Sequence, residues 1–150
     1  MLDIFVDADG CPVKDEVYKV ARRYGLRVVL VSNSWMRIPE DARFELVVVA
    51  EGPDVADDWI VEHVEDNDIV ITGDIPLASL CLKKNAAVLG LKGRPFTEDN
   101  IGSVLATRDL LTQLREGGAK TGGPAPFAKA DRSRFLQELD KMIHAVRRRA

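Results

Sequence analysis

The feature that most constrains this chain is a recurring pair: a short, unbroken apolar run followed by a stretch with helical spacing. Five such runs, LDIFVDA, RVVLVS, ELVVVA, DIVIT and AAVLGL, are rich in β-branched residues and bounded by loop formers. A strand with one face in water alternates apolar and polar residues. These runs do not alternate, which is the pattern of parallel strands covered on both faces. Helical patterns fill the gaps. PVKDEVYKVARRYG carries Pro12 in its first turn and Gly25 as its stop. DVADDWIVEHV places Val55, Trp59, Ile60 and Val64 at helical intervals, and IPLASLCLKKN reads as a third, shorter helix. The expectation is an α/β fold: a single domain with a mostly parallel central sheet of about five strands, flanked by helices.

The last third changes character. TEDNIGSVLATRDLLTQLREGG predicts a long amphipathic helix, capped by Thr97 and ended by Gly117 and Gly118. KTGGPAPFAKA reads as a Gly/Pro loop, and a terminal helix starts at Asp131. Its closing arginines, Arg147, Arg148 and Arg149, complement the helix dipole. At 150 residues and 46% hydrophobic, the chain holds enough apolar material for one proper core. No run approaches the length of a membrane helix, and MLDIFVDADG lacks the basic-then-apolar layout of a signal peptide. A cytoplasmic protein with no membrane partner is expected. Cys11 and Cys81, with only His63 and His144 beside them in the sequence, form neither a disulfide framework nor a zinc ligand set. Cys11 falls at a helix start, where a thiol can acidify, although packing is the favoured role.

The net charge of -3 hides a division. Residues 1–80 carry 7 Lys/Arg against 17 Asp/Glu, whereas residues 81–150 carry 14 against 7. An acidic half suits cations and a basic half suits a polyanion, against the plainer reading that charges solvate helix faces.

The acids are also grouped. In a parallel sheet the carboxyl ends of the strands share one edge, and ligands bind in the crevice outside it. Asp7 and Asp9 end the first strand, Ser32 and Asn33 the second, and Asp74 follows DIVIT. Asp54, Asp57 and Asp58 open the helix after the third strand on one helical face, with Asp54 as its expected cap. Each acid alone has a plain explanation as a cap or turn former. Two carboxylates at about 4 Å repel by roughly 1 kcal/mol in water and about 4 kcal/mol at an effective dielectric near 20, so several on one edge need compensation. Oxygen ligands without a Cys/His set suit Mg²⁺ or Mn²⁺.

The combination DADGCPVK, PDVADDWIVEHV, DIVITGDIPLA, GRPFTEDNIG, RDLL and GGPAPF–DRSRF resembles the YaiI/YqxD family of small bacterial proteins over essentially the entire chain. That family is grouped with PIN-like domains, metal-dependent nucleases with acidic residues on such a sheet edge. The resemblance implies that Asp7, Asp57 and Asp74 are metal ligands for phosphodiester hydrolysis of RNA, or less readily DNA, with Asp9 as ligand or base. Lys14, Ser32 and Asn33 would orient phosphate oxygens, and Lys92, Arg94 or Arg108 would hold the nucleic-acid backbone. PIN-like domains often pair, so a homodimer is also an expectation. AAVLGLKG carries no counterpart of a fourth PIN acid, as a non-catalytic metal- or RNA-binding module would show.

A haloacid-dehalogenase-type phosphatase is the rival enzyme, with Asp7 as nucleophile, Asp9 as general acid, Ser32 on phosphate and Asp74 as a later metal acid. Against it, residues 34–73 contain no lysine, no second Asp follows Asp74 closely, and the helix after DADG leaves no room for a flap.

Overall fold

The computed structural model describes residues 2–116 and 126–149. The predicted ends at Gly117 and Gly118, and most of the Gly/Pro loop, lie outside the described residues. In chain order the elements are β1 (Asp3–Asp7), α1 (Lys14–Tyr24), β2 (Arg27–Ser32), β3 (Phe44–Val48), α2 (Val55–His63) and β4 (Ile69–Ile71). They continue with α3 (Ile75–Lys83), β5 (Ala87–Leu89), β6 (Pro95–Phe96), α4 (Glu98–Glu116) and α5 (Lys129–Arg149). Among the described residues no helix is long and apolar enough to cross a membrane.

The six strands form one sheet in the order β3-β2-β1-β4-β5-β6. All neighbours are parallel except β5 and β6, which are antiparallel. The unbroken apolar runs are explained by cover on both faces. Ile4, Val6, Val28, Leu30, Ile69 and Ile71 point into a core shared with α1 and α5. Their neighbours Phe5, Val29, Val31, Val70 and Val88 point into a second core under α2, α3 and α4. Each fully buried Ile, Leu or Val contributes on the order of 1.5–3 kcal/mol relative to exposure.

Helix boundaries follow the local chemistry with small corrections. α1 begins at Lys14, so Pro12 lies in the turn before it rather than in its first turn. Gly25 ends α1 at φ 65°, its N–H reaching back to the carbonyls of Ala21 and Arg22. Thr97 caps α4 as expected: its Oγ accepts from Asn100 N at 3.2 Å, and Asn100 Oδ1 accepts from Thr97 N at 2.9 Å. α5 starts at Lys129, two residues ahead of the expected Asp131, whose carboxylate accepts from Ala128 N. The sixth strand, β6, has only two residues, too few to show any period.

α5 seals the first core with Phe135, Leu139, Ile143 and Val146, one apolar stripe down its length. Its arginines latch it in place. Arg132 reaches Pro12 O and Glu16, Arg147 reaches Tyr24 O, and Arg149 reaches Asn67 and Asn85 O. Arg132, Arg147 and Arg149, three basic residues of the C-terminal half, are therefore engaged in holding this helix.

The tightest contact lies at Gly93, in the turn joining β5 to β6. A Cβ there would stand 2.8 Å from backbone atoms of both Arg134 and Phe135, and the residue has φ +83°. Gly93→Ala is expected to destabilise the protein by about 2–4 kcal/mol through strain and loss of the α5 contact. Gly102→Ala, in open space on α4, is expected to stabilise by about 0.5–1 kcal/mol. Urea unfolding of the two variants checks both signs.

Candidate functional site

The strand order fixes where a ligand site can form. The chain builds β2 and β3 on one side of β1, then crosses back to place β4 on the other side. The crevice outside the carboxyl ends of β1 and β4 is therefore the topological switch point of the sheet. Asp7 is the last residue of β1, and Thr72 and Asp74 follow β4 at once.

Thr72 joins the two sides. It is fully buried, and its hydroxyl donates to Asp7 Oδ2 at 2.9 Å while accepting from Asp74 N at 2.9 Å. Asp74 then caps α3, its Oδ1 accepting from Leu77 N at 3.0 Å, with Pro76 in the first turn. Both acids are thus held at a defined angle by one hydroxyl and one helix start. Asp57 arrives from the first turn of α2. The expected cap of that helix, Asp54, holds the cap position but makes no side-chain capping bond. Its backbone is left-handed at φ 66°, unlike the extended backbone typical of a capping residue. Its charge still adds to that around Asp57.

These acids feel one another. The Asp57 carboxyl is pushed up to about 7, first by burial, then by the charges of Asp74, Asp7 and Asp54, and by a carboxyl–carboxyl hydrogen bond with Asp74. Asp7 is raised above its ordinary value, mainly by burial and further by Asp74 and Asp9, with the Thr72 hydrogen bond opposing. None of Asp7, Asp57 and Asp74 forms an ion pair among the described residues. Sequence spacing therefore brings these three together as expected. Among the described residues, however, no three His, Cys, Asp or Glu side chains stand in a geometry that closes around an ion.

The neighbouring candidates have other occupations. Asp9 is a staple: Oδ1 accepts from Ser32 Oγ and Oδ2 from Asn33 N, both at 2.8 Å, tying the loop after β1 to the end of β2. The Ser32 side chain is fully buried and also bonds within its own turn, to Ser34. Asn33 spends its amide on Ala50 O. These bonds give Asp9, Ser32 and Asn33 a structural occupation at the carboxyl edge, tying the loop after β1 to the end of β2. A pattern of loop residues shows no such partners. Lys14 begins α1 near Cys11, whose thiol burial pushes up rather than down, so packing is its role. Arg94 and Arg108 do come together, lining a cavity of about 440 Å³ with Ile75, Ser103 and Thr107. Ile75 follows Asp74, so this cavity adjoins the acids. Lys92 does not share it, since its carbonyl accepts from Arg134 and its charge acts on Asp131.

Thr72 is the site residue that sequence reading missed. Its only signal is a hydroxyl at the end of a β-branched run, directly before Gly73 and Asp74.

A mostly parallel α/β sheet with coupled acids at its switch point defines the class of protein. The chain belongs to the family described as uncharacterized bacterial YaiI/YqxD, whose model matches residues 5–145. It is similar to the UPF0178 protein amb2838 of Paramagnetospirillum magneticum, 60% identical over 148 residues, covering 99% of this chain and 98% of that one. A UPF0178 protein of Parvibaculum lavamentivorans is 58% identical over 149 residues, with 99% and 98% covered. No solved structure matches.

The raised Asp57 pKa has a consequence whose sign can be measured. The folded protein holds this proton up to about pH 7, while the unfolded chain releases it near its ordinary value of 3.8. Stability is therefore expected to fall as pH rises through that window. Asp57→Asn should flatten the fall and, allowing for the half-exposed side chain, gain about 1 kcal/mol at pH 8. Denaturant unfolding from pH 4 to 8 provides the check.

Proposed function

We propose that this protein is a divalent-cation-dependent phosphodiesterase acting on single-stranded RNA, with Asp7, Asp57 and Asp74 as its cation ligands. The observation that carries this reading is the mutual charge of three acids at the switch point, with no cationic side chain in an ion pair with them among the described residues. The donor set fits a hard cation in chemistry and charge. A closed protein cage is not required, because Mg²⁺ is commonly held by one or two carboxylates together with water and substrate phosphate. The resemblance to PIN-like nucleases supports the same edge for the same chemistry.

When bound, Mg²⁺ or Mn²⁺ supplies charge neutralisation at the phosphate and acidifies water. The protein's residues do the rest. Thr72 Oγ fixes Asp7, and the α3 cap fixes Asp74, so neither needs reorienting. Asp57, whose carboxyl burial and neighbouring charges raise to about 7, would have to be deprotonated to serve as a ligand. Arg94 and Arg108, in the adjoining cavity, hold the backbone of the strand.

A second reading, a binding module without catalysis, draws on the lack of a closed three-residue ligand set and on the diversion of Asp9. The phosphatase reading loses its general acid for the same reason, since both Asp9 oxygens are engaged.

Labelled single-stranded RNA incubated with the protein in Mn²⁺ separates these readings. Cutting is expected that disappears in EDTA and falls at least 100-fold in Asp7→Asn, about 3 kcal/mol of barrier. Binding without cutting would leave the module. Release of phosphate from a small monoester with covalent capture at Asp7 would favour the phosphatase.

A further inference from the structure

The chain has two tryptophans, and the structure treats them differently. Trp59, on α2, is half-buried, stacked on His63 with ring centroids 3.7 Å apart and tilted against Phe5. Trp35 is 75% exposed. It stands in the loop after β2, at the carboxyl edge, and borders a shallow hollow of about 620 Å³ with Met36, Arg37, Ile38, Pro39 and Leu46. Met36 and Ile38 turn inward to the first core, so the loop is anchored while Trp35 stays out.

Its position is also fixed from the other side. The Asp9 staple holds Ser32 and Asn33, and the bonds between Ser32 and Ser34 tighten the turn immediately before Trp35. Asp7 pairs with Val31 across the β1–β2 seam. With strands about 4.8 Å apart and four residues of chain beyond that pair, Trp35 lies at most about 20 Å from Asp7.

Strand order then sets a line along the edge. Trp35 follows β2, Asp7 ends β1, Asp74 follows β4, and Arg94 sits in the turn after β5. An aromatic face with an exposed arginine beside it is the usual equipment for stacking an unpaired base. We infer that Trp35 is a base-stacking platform for single-stranded RNA, a few nucleotides from the scissile phosphate. This rests on the proposed acid site, and it gives that site its preference for a single strand. A base in a duplex has no free face to offer.

The test is binding in EDTA, where nothing is cut. Trp59→Phe leaves Trp35 as the sole tryptophan, and its fluorescence should be quenched by single-stranded RNA of mixed sequence but not by the same RNA as a duplex. Trp35→Ala should weaken that binding about tenfold or more, Trp35→Phe should retain most of it, and in Mn²⁺ Trp35→Ala should raise KM with little change in kcat. Because Trp35 is exposed, neither substitution should threaten folding. Unchanged affinity in Trp35→Ala, equal quenching by duplex, or quenching by a peptide partner alone would overturn the platform. Quenching by single strands without any cutting in Mn²⁺ would instead overturn the nuclease reading and leave the platform standing.

Discussion

Asp7, Asp57 and Asp74 repel one another across a seam that the strand order leaves open, and the protein offers no paired cation among its described residues to offset them. Repulsion of this kind costs stability, on the order of a kcal/mol or more per pair away from bulk water. Burial and the neighbouring charges raise the Asp57 carboxyl to about 7, so that below neutral pH it stays neutral and the repulsion is reduced. That solution works only near or below neutral pH. Under the proposed function, a cation would offset the same charges at higher pH.

The architecture around the seam explains why the acids cannot simply swing apart. Thr72 is buried between them and uses both capacities of its hydroxyl, while the start of α3 fixes Asp74 from behind. Asp9 ties the neighbouring loops, and α5, locked by its apolar stripe and its arginines, closes the face below. Rigid supports of this sort are what a constellation of like charges needs to persist.

The sheet was legible because both faces are covered: a run such as RVVLVS admits no other burial. The convergence of Asp7, Asp57 and Asp74 was legible for a related reason, since parallel strands deliver their carboxyl ends to one edge. What sequence could not show was pairing at long range. Asp9 looked like a fourth functional acid, yet its partners Ser32 and Asn33 lie 23 and 24 residues away. The closing arginines of α5 looked like simple complements to the helix dipole, yet Arg147 and Arg149 also bond Tyr24 O, Asn67 and Asn85 O, far away in sequence. β6 had too few residues to register, and the left-handed backbone of Asp54 is set by its turn, not by its side chain.

The most direct measurement is calorimetric titration of the protein with Mn²⁺ at pH 6.5 in buffers of differing ionisation heat. Binding at one site with release of a proton is predicted, because a cation held by these acids would displace the proton that burial and neighbouring charge keep on Asp57, and the double variant Asp57→Asn, Asp74→Asn should lose both. An ion that binds without moving a proton, or equally well to the double variant, would contradict the account.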